Sequence, residues 1–152
     1  GANAGHTVWK DGVKYAFHLI PSGIICPNTQ CLLGNGTVVN LESLYTELNQ
    51  LDRNKVNYKG RMFISARAHI VTRYQLEQDV ANEEKQGLGT TKKGIGPTYA
   101  AKTQRYGLRM GDLKHWETFE TKFRHMASFY AKDYRSSTTN VDFEEYKLHK
   151  EL

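Results

Sequence analysis

The sequence predicts a mixed α/β fold, with short strands and tight turns in its first third and mostly helices afterwards. Three observations carry this. Two short apolar runs, Thr7–Trp9 and Val13–Leu19, flank Lys10-Asp11-Gly12, a turn signal that joins a hairpin. The period then changes, because Leu41, Leu44, Tyr45, Leu48 and Leu51 recur at helical spacing behind Asn40, whose short side chain suits an N-cap. An amphipathic helix over Leu41–Leu51 follows. Near the C-terminus Trp116, Phe119, Phe123, Met126, Ala127 and Tyr130 step by three and four, which reads as core packing rather than an aromatic ligand box.

The remaining elements fall between these. Pro21-Ser22-Gly23 breaks the first apolar run, and Cys31–Leu33 and Val38–Val39 are short apolar pieces around a Gly34-Asn35-Gly36 turn. Arg61–Ser65 is apolar and follows Gly60, which predicts a buried strand returning to the sheet. Tyr74–Asn82 predicts a helix with Leu76 and Val80 on one face and an exit at Gly87. Pro97 suits the first turn of a helix carrying Lys102 and Arg105. Ser136–Asn140 reads as a loop, and Asp142 as the cap of a last helix through Leu152. Residues 1–88 should contribute to a sheet, and 89–152 should hold a phosphate-type loop and a helical subdomain.

With 152 residues, 39% hydrophobic and 24% charged, the chain can bury a core and is not disordered. Its net charge is +5, and part of the excess sits in Lys92, Lys93, Lys102, Arg105 and Arg109, which invites an anion. Only Tyr99 and Tyr106 accompany these cations, which disfavours nucleic acid. No apolar run is long enough to cross a membrane. Cys26 and Cys31 have no second pair to complete a tetrahedral metal site, and they read as reduced thiols. The sequon Asn35-Gly36-Thr37 marks a turn. The chain begins at Gly1 without an initiator Met, and is expected to be a piece of something longer.

Two glycine-punctuated polar motifs remain, GANAGHT at Gly1–Thr7 and GTTKKGIGPTY at Gly89–Tyr99. Gly1, Gly5, Gly89, Gly94 and Gly96 let backbone approach a ligand closely, while Asn3, His6, Thr7, Thr90 and Thr91 supply short donors beside them. Such loops suit phosphate. Neither G-x-x-x-x-G-K-[ST] nor G-x-G-x-x-G occurs, so the common nucleotide fingerprints do not explain them.

Taken in order with FHLIPSG (Phe17–Gly23), LGNG (Leu33–Gly36) and RYGLR (Arg105–Arg109), these motifs resemble adenylosuccinate synthetase from Gly1 to about Leu113. The resemblance implies a slice of a larger P-loop-NTPase-like subunit on a largely parallel sheet, lacking the upstream phosphate-loop segment and the downstream guanine and aspartate segments. It implies a cytoplasmic ligase of AMP biosynthesis that joins IMP to L-aspartate at the expense of GTP, through 6-phosphoryl-IMP, with Mg2+. His6 then matches the catalytic acid. Asn3, Ala4, Gly5, His6, Thr91 and Arg105 match IMP contacts, Gly5, His6 and Thr7 match GTP contacts, and the Gly5 carbonyl matches a magnesium ligand. Arg105 would reach the partner's IMP in a homodimer, while Lys102 and Arg109 stay open between site and surface. His18, His69 and His125 keep a structural reading. Without the upstream base and nucleotide loop, the 152 residues alone are expected to be inactive. A different class, a non-catalytic nucleotide- or phosphate-binding module, is the alternative.

Overall fold

The computed structural model describes residues 2–87 and 89–133. Strands β1 (His6–Lys10) and β2 (Val13–Phe17) pair antiparallel, with His6 opposite Phe17 and Lys10 opposite Val13. Asp11 and Gly12 both take positive φ, 51° and 76°, the two-residue turn whose twist matches the strands it joins. Tyr15 and Phe17 point into the core, and a short 3-10 turn over Ser22–Ile25 follows the break at Pro21.

Strands β3 (Cys31–Leu33) and β4 (Val38–Asn40) flank the Gly34-Asn35-Gly36 turn but do not pair with each other. Instead β3 runs parallel to β5 (Met62–Ile64), and β4 parallel to β6 (His69–Val71). Parallel pairing needs a crossover, and helix α1 (Leu41–Arg53) lies within it. The Asn40 side chain accepts from the Ser43 N–H at 2.8 Å, capping α1, which runs two residues past Leu51.

Strand β5 departs from expectation. Met62 and Ile64 are only half-buried, and Phe63 is 46% exposed beside its register partner Leu32, 63% exposed. Strands of parallel sheets are ordinarily covered on both faces, and no described layer covers this one.

Helix α2 (Arg73–Gln86) ends where Gly87 turns left-handed at φ 59°. Its buried face is not Leu76 and Val80, which are half-buried; Tyr74, Gln75 and Asp79 are buried in their place. Polar groups tolerate burial there because they are bonded. Gln75 accepts from the Thr72 N–H at 2.9 Å and donates to the Tyr130 hydroxyl at 3.0 Å, while Asp79 accepts from the Gly94 N–H at 2.8 Å.

Helix α3 (Ile95–Thr103) contains Pro97 in its first turn and Lys102 in its last, but Arg105 lies beyond its end at φ 70°. Gly94 before it has no substitute: φ is 69°, and a Cβ would meet Val71 Cγ1 at 2.9 Å and the Gln75 backbone at 3.0 Å. By contrast, Gly96 has nothing within 4 Å of such a Cβ. Helix α4 (Trp116–Asp133) buries Phe119, Phe123, Met126 and Tyr130, each worth about 1.5–3 kcal/mol of apolar burial. Tyr130 stacks on Tyr74 with ring centroids 5.3 Å apart, so one apolar cluster runs from the hairpin through α1 to α4. The loop and final helix expected over Ser136–Asn140 and from Asp142 to Leu152 lie outside the described residues.

Candidate functional site

The first loop leads straight into β1. Ala2 is buried, Asn3, Ala4, Gly5 and Thr7 are exposed, and His6 is half-buried. A Cβ at Gly5 would meet His18 Nε2 at 2.9 Å, so a side chain there would have to displace the exposed His18 ring. His6 Nε2 donates to the Ile20 carbonyl at 2.9 Å, and its ring packs 6.0 Å from that of Phe17. A carbonyl can only accept, so Nε2 carries a proton, and the ring's other nitrogen, Nδ1, lies 3.5 Å from the Ala4 carbonyl.

The second loop, 89–94, is tied down by carboxylates of α2. Glu83 accepts from the Gly89 N–H at 2.9 Å and the Thr90 N–H at 3.0 Å. Those bonds, Thr90's foremost and then Gly89's, hold the Glu83 carboxyl below the usual range. Gly89 takes φ 75°, and the Thr90 hydroxyl accepts from the Lys92 N–H at 3.4 Å, a loop-shaping contact. Thr91 and Lys92 stand exposed at the crest.

The two loops meet at one bond: Lys93 Nζ donates to the Ala2 carbonyl at 2.8 Å. Residues 91 apart in sequence are thereby joined, with Asn3–Thr7 continuing from one side and Thr91 two positions before the other. On the far side, Tyr99 donates to the Gly36 carbonyl at 2.6 Å and Lys102 to the Asn35 carbonyl at 3.1 Å, which seats α3 on the LGNG turn.

Arg105 is not brought to this junction. It lies beyond the opposite end of α3, a helix about 13 Å long, and lines a polar cleft of about 490 Å³ with His69, Lys102, Arg109, Asp112 and Lys122. His69 is 3% exposed and its Nδ1 has no hydrogen-bond partner among the described residues. Burial first, then the charges of Arg109 and Lys102, push its pKa down. His125 stands exposed on α4, its ring edge-on to Phe129. Another cleft, about 460 Å³, is lined mostly by apolar side chains such as Leu44, Met62 and Met110 and lacks the loops' donors.

Among the described residues, no group of three or more His, Cys, Asp or Glu side chains could hold a metal. Gly5 is exposed, and its backbone carbonyl is a hard oxygen of a kind compatible with a hard cation such as Mg2+. Both cysteines are unpaired, Cys26 exposed and Cys31 buried.

Three anchoring residues escape a motif-based reading: Glu47, Asp79 and Glu83. Glu47 carries a usable signal, an acidic residue at helical spacing among Leu44, Leu48 and Leu51, whereas Asp79 has no such apolar stripe around it. Glu83 sits in the last turn before Gly87 and is recognisable only from its bonds.

Comparison with known proteins identifies the family. The family model for adenylosuccinate synthetase matches residues 1–151. The chain is 56% identical over 126 residues to the adenylosuccinate synthetase of Paramecium tetraurelia, covering 81% of this chain and 29% of that protein. It is 46% identical over 145 residues to that of Phaeodactylum tricornutum, covering 93% and 28%. The solved structure of fully ligated adenylosuccinate synthetase from Plasmodium falciparum superposes with a TM-score of 0.81 at 35% identity, covering 92% of this chain and 34% of that one. The chain thus spans about a third of the length of each of these proteins. Family-wide likeness along nearly its whole length, on the same backbone, means that this chain belongs to the adenylosuccinate synthetase family.

Proposed function

We propose that this chain supplies the two phosphate-facing loops of an adenylosuccinate synthetase, the ligase that joins IMP to L-aspartate at the expense of GTP. The bond between Lys93 and the Ala2 carbonyl carries the reading, because it joins the GANAGHT and GTTKKGIGP loops side by side.

In this reading a base removes the N1 proton of IMP and O6 attacks the γ-phosphorus of GTP, releasing GDP. The aspartate amine then displaces phosphate to give adenylosuccinate. Phosphoryl transfer depends mainly on positioning and on stabilising charge at the transferring group. His6 serves as the acid, its ring held in one orientation by the bond from Nε2–H to the Ile20 carbonyl. Asn3 and Ala4 border IMP, Gly5–Thr7 border the GTP phosphates, and Thr91 donates to the IMP phosphate. Mg2+, when bound, would screen the phosphate charge, with the Gly5 carbonyl among its ligands. Arg105 faces away from its own loops, which suits delivery of its fork of donors to the IMP phosphate of a partner subunit in a homodimer. The two free thiols fit a reducing compartment such as the cytoplasm.

A steady-state assay of the full-length polypeptide with IMP, GTP and aspartate tests the proposal. Adenylosuccinate should form, and His6→Ala should lower kcat by about 10²–10⁴-fold, the size of a lost acid. The 152 residues alone should give no product. Saturable IMP binding without turnover by the full-length polypeptide would replace the ligase with a non-catalytic phosphate-binding module, and an unchanged rate in His6→Ala would remove His6 from the chemistry.

A further inference from the structure

On the buried face of α1, among Leu44, Leu48 and Leu51, stands an ionisable side chain that the motifs do not use. Glu47 is 6% exposed. Burying a carboxylate is costly unless it is hydrogen-bonded, and this one accepts from three successive backbone N–H groups: His18 at 2.7 Å, Leu19 at 3.1 Å and Ile20 at 2.8 Å. His18 Nδ1 is 4.0 Å away, at the edge of ion-pair range. A leucine would fill the same helix position with less cost. Glu47 therefore fixes the path of residues 18–20.

That path carries the carbonyl on which His6 rests. The Ile20 carbonyl belongs to the Ile20–Pro21 peptide, which has no N–H of its own to anchor it. Its direction is set from the preceding peptide, whose N–H Glu47 holds. From there it accepts the His6 Nε2 proton at 2.9 Å.

We propose that Glu47 is a positioning residue for His6: it grips the peptides of 18–20 so that the Ile20 carbonyl fixes the ring's orientation and keeps its proton on Nε2. This rests on the reading of His6 as the acid only in what the orientation is for. The orientation itself is measurable without turnover.

The test is nitrogen-detected NMR of the His6 ring in the full 152-residue chain above neutral pH, where the two neutral tautomers differ in the shifts of Nδ1 and Nε2. Wild type should show the Nε2–H form. In Glu47→Ala the ratio of Nε2–H to Nδ1–H should fall roughly tenfold, as expected from weakening one hydrogen bond, while Glu47→Gln, which keeps one of the two acceptor oxygens, should fall between Glu47→Ala and wild type. A folded Glu47→Ala chain with the wild-type ratio overturns the proposal. Should Glu47→Ala fail to fold, Glu47→Asp, one methylene shorter, replaces it; a partial shift supports the proposal and no shift overturns it. His6→Ala kinetics decide separately whether His6 is the acid, so failure of that reading would leave the tautomer result standing on its own.

Discussion

The loop at residues 2–7 and the loop at residues 89–94 both present small residues and short donors, yet they are held in different ways. The first is the lead-in to a hairpin, and its one titratable side chain, His6, rests on a carbonyl whose peptides a buried carboxylate grips. The second is pinned directly by two carboxylates one turn apart on α2, Asp79 at its end and Glu83 at its start. In all three cases an acceptor-only group ties down backbone N–H groups that would otherwise be free to turn toward water. The difference is burial. Glu47 and Asp79 are 6% exposed, whereas Glu83 is half-buried at its helix end, so one end of the second loop is held more rigidly and the other is the more adjustable.

The rigid end can be broken most severely at Gly94. Gly94→Ala combines a left-handed backbone, about 1–2 kcal/mol for a residue with a Cβ, with overpacking against Val71 and the Gln75 backbone, about 1–3 kcal/mol more. A loss of about 2–5 kcal/mol in urea unfolding is expected. An unchanged midpoint would mean that α3 does not lock against α2 as described.

Asp79→Ala acts on the same end through its bond alone. It leaves the buried Gly94 N–H without a partner, which costs about 1–3 kcal/mol. Asp79→Asn, still able to accept, should recover most of that. If Asn were as destabilising as Ala, the charge and not the hydrogen bond would be what holds α3's entry.

These anchors also show what was and was not legible beforehand. The hairpin, α1 with its Asn40 cap, the Gly87 exit and the α4 stripe follow from local chemistry, and each stands within a residue or two of where the pattern puts it. Strand β6 escaped because Ala68–Val71 is too short a run to separate from loop by periodicity, and its pairing with β4 is non-local. The buried face of α2 was misread because burial there follows hydrogen bonds made by Gln75 and Asp79 to distant partners, which hydropathy cannot see. Exposure of β5 reflects what covers a sheet face, again a tertiary property. The site's motifs could be read from residue order, but their meeting at Lys93 and Ala2 could not, since that contact joins residues 91 apart.

The adjustable end gives the smallest effect and the sharpest test of the contrast. The Glu83 carboxyl is held below its ordinary range by the Thr90 and Gly89 N–H groups, so the folded state favours the ionised form. The sign follows: the anchor is fully in place above the usual carboxylate range and is lost as pH falls through the lowered folded value. Half-buried at its helix end and reached by solvent, it should contribute little to global stability. What should change is local, with the amide signals of Gly89 and Thr90 shifting and their exchange protection falling on acidification, while the Glu83→Gln chain shows neither pH response at these amides. Release of this end would move Thr91 and Lys92 without moving Gly94, which Asp79 holds separately. Amides at 89 and 90 that ignore acid would show that the loop is held from elsewhere, and the contrast between its two ends would collapse.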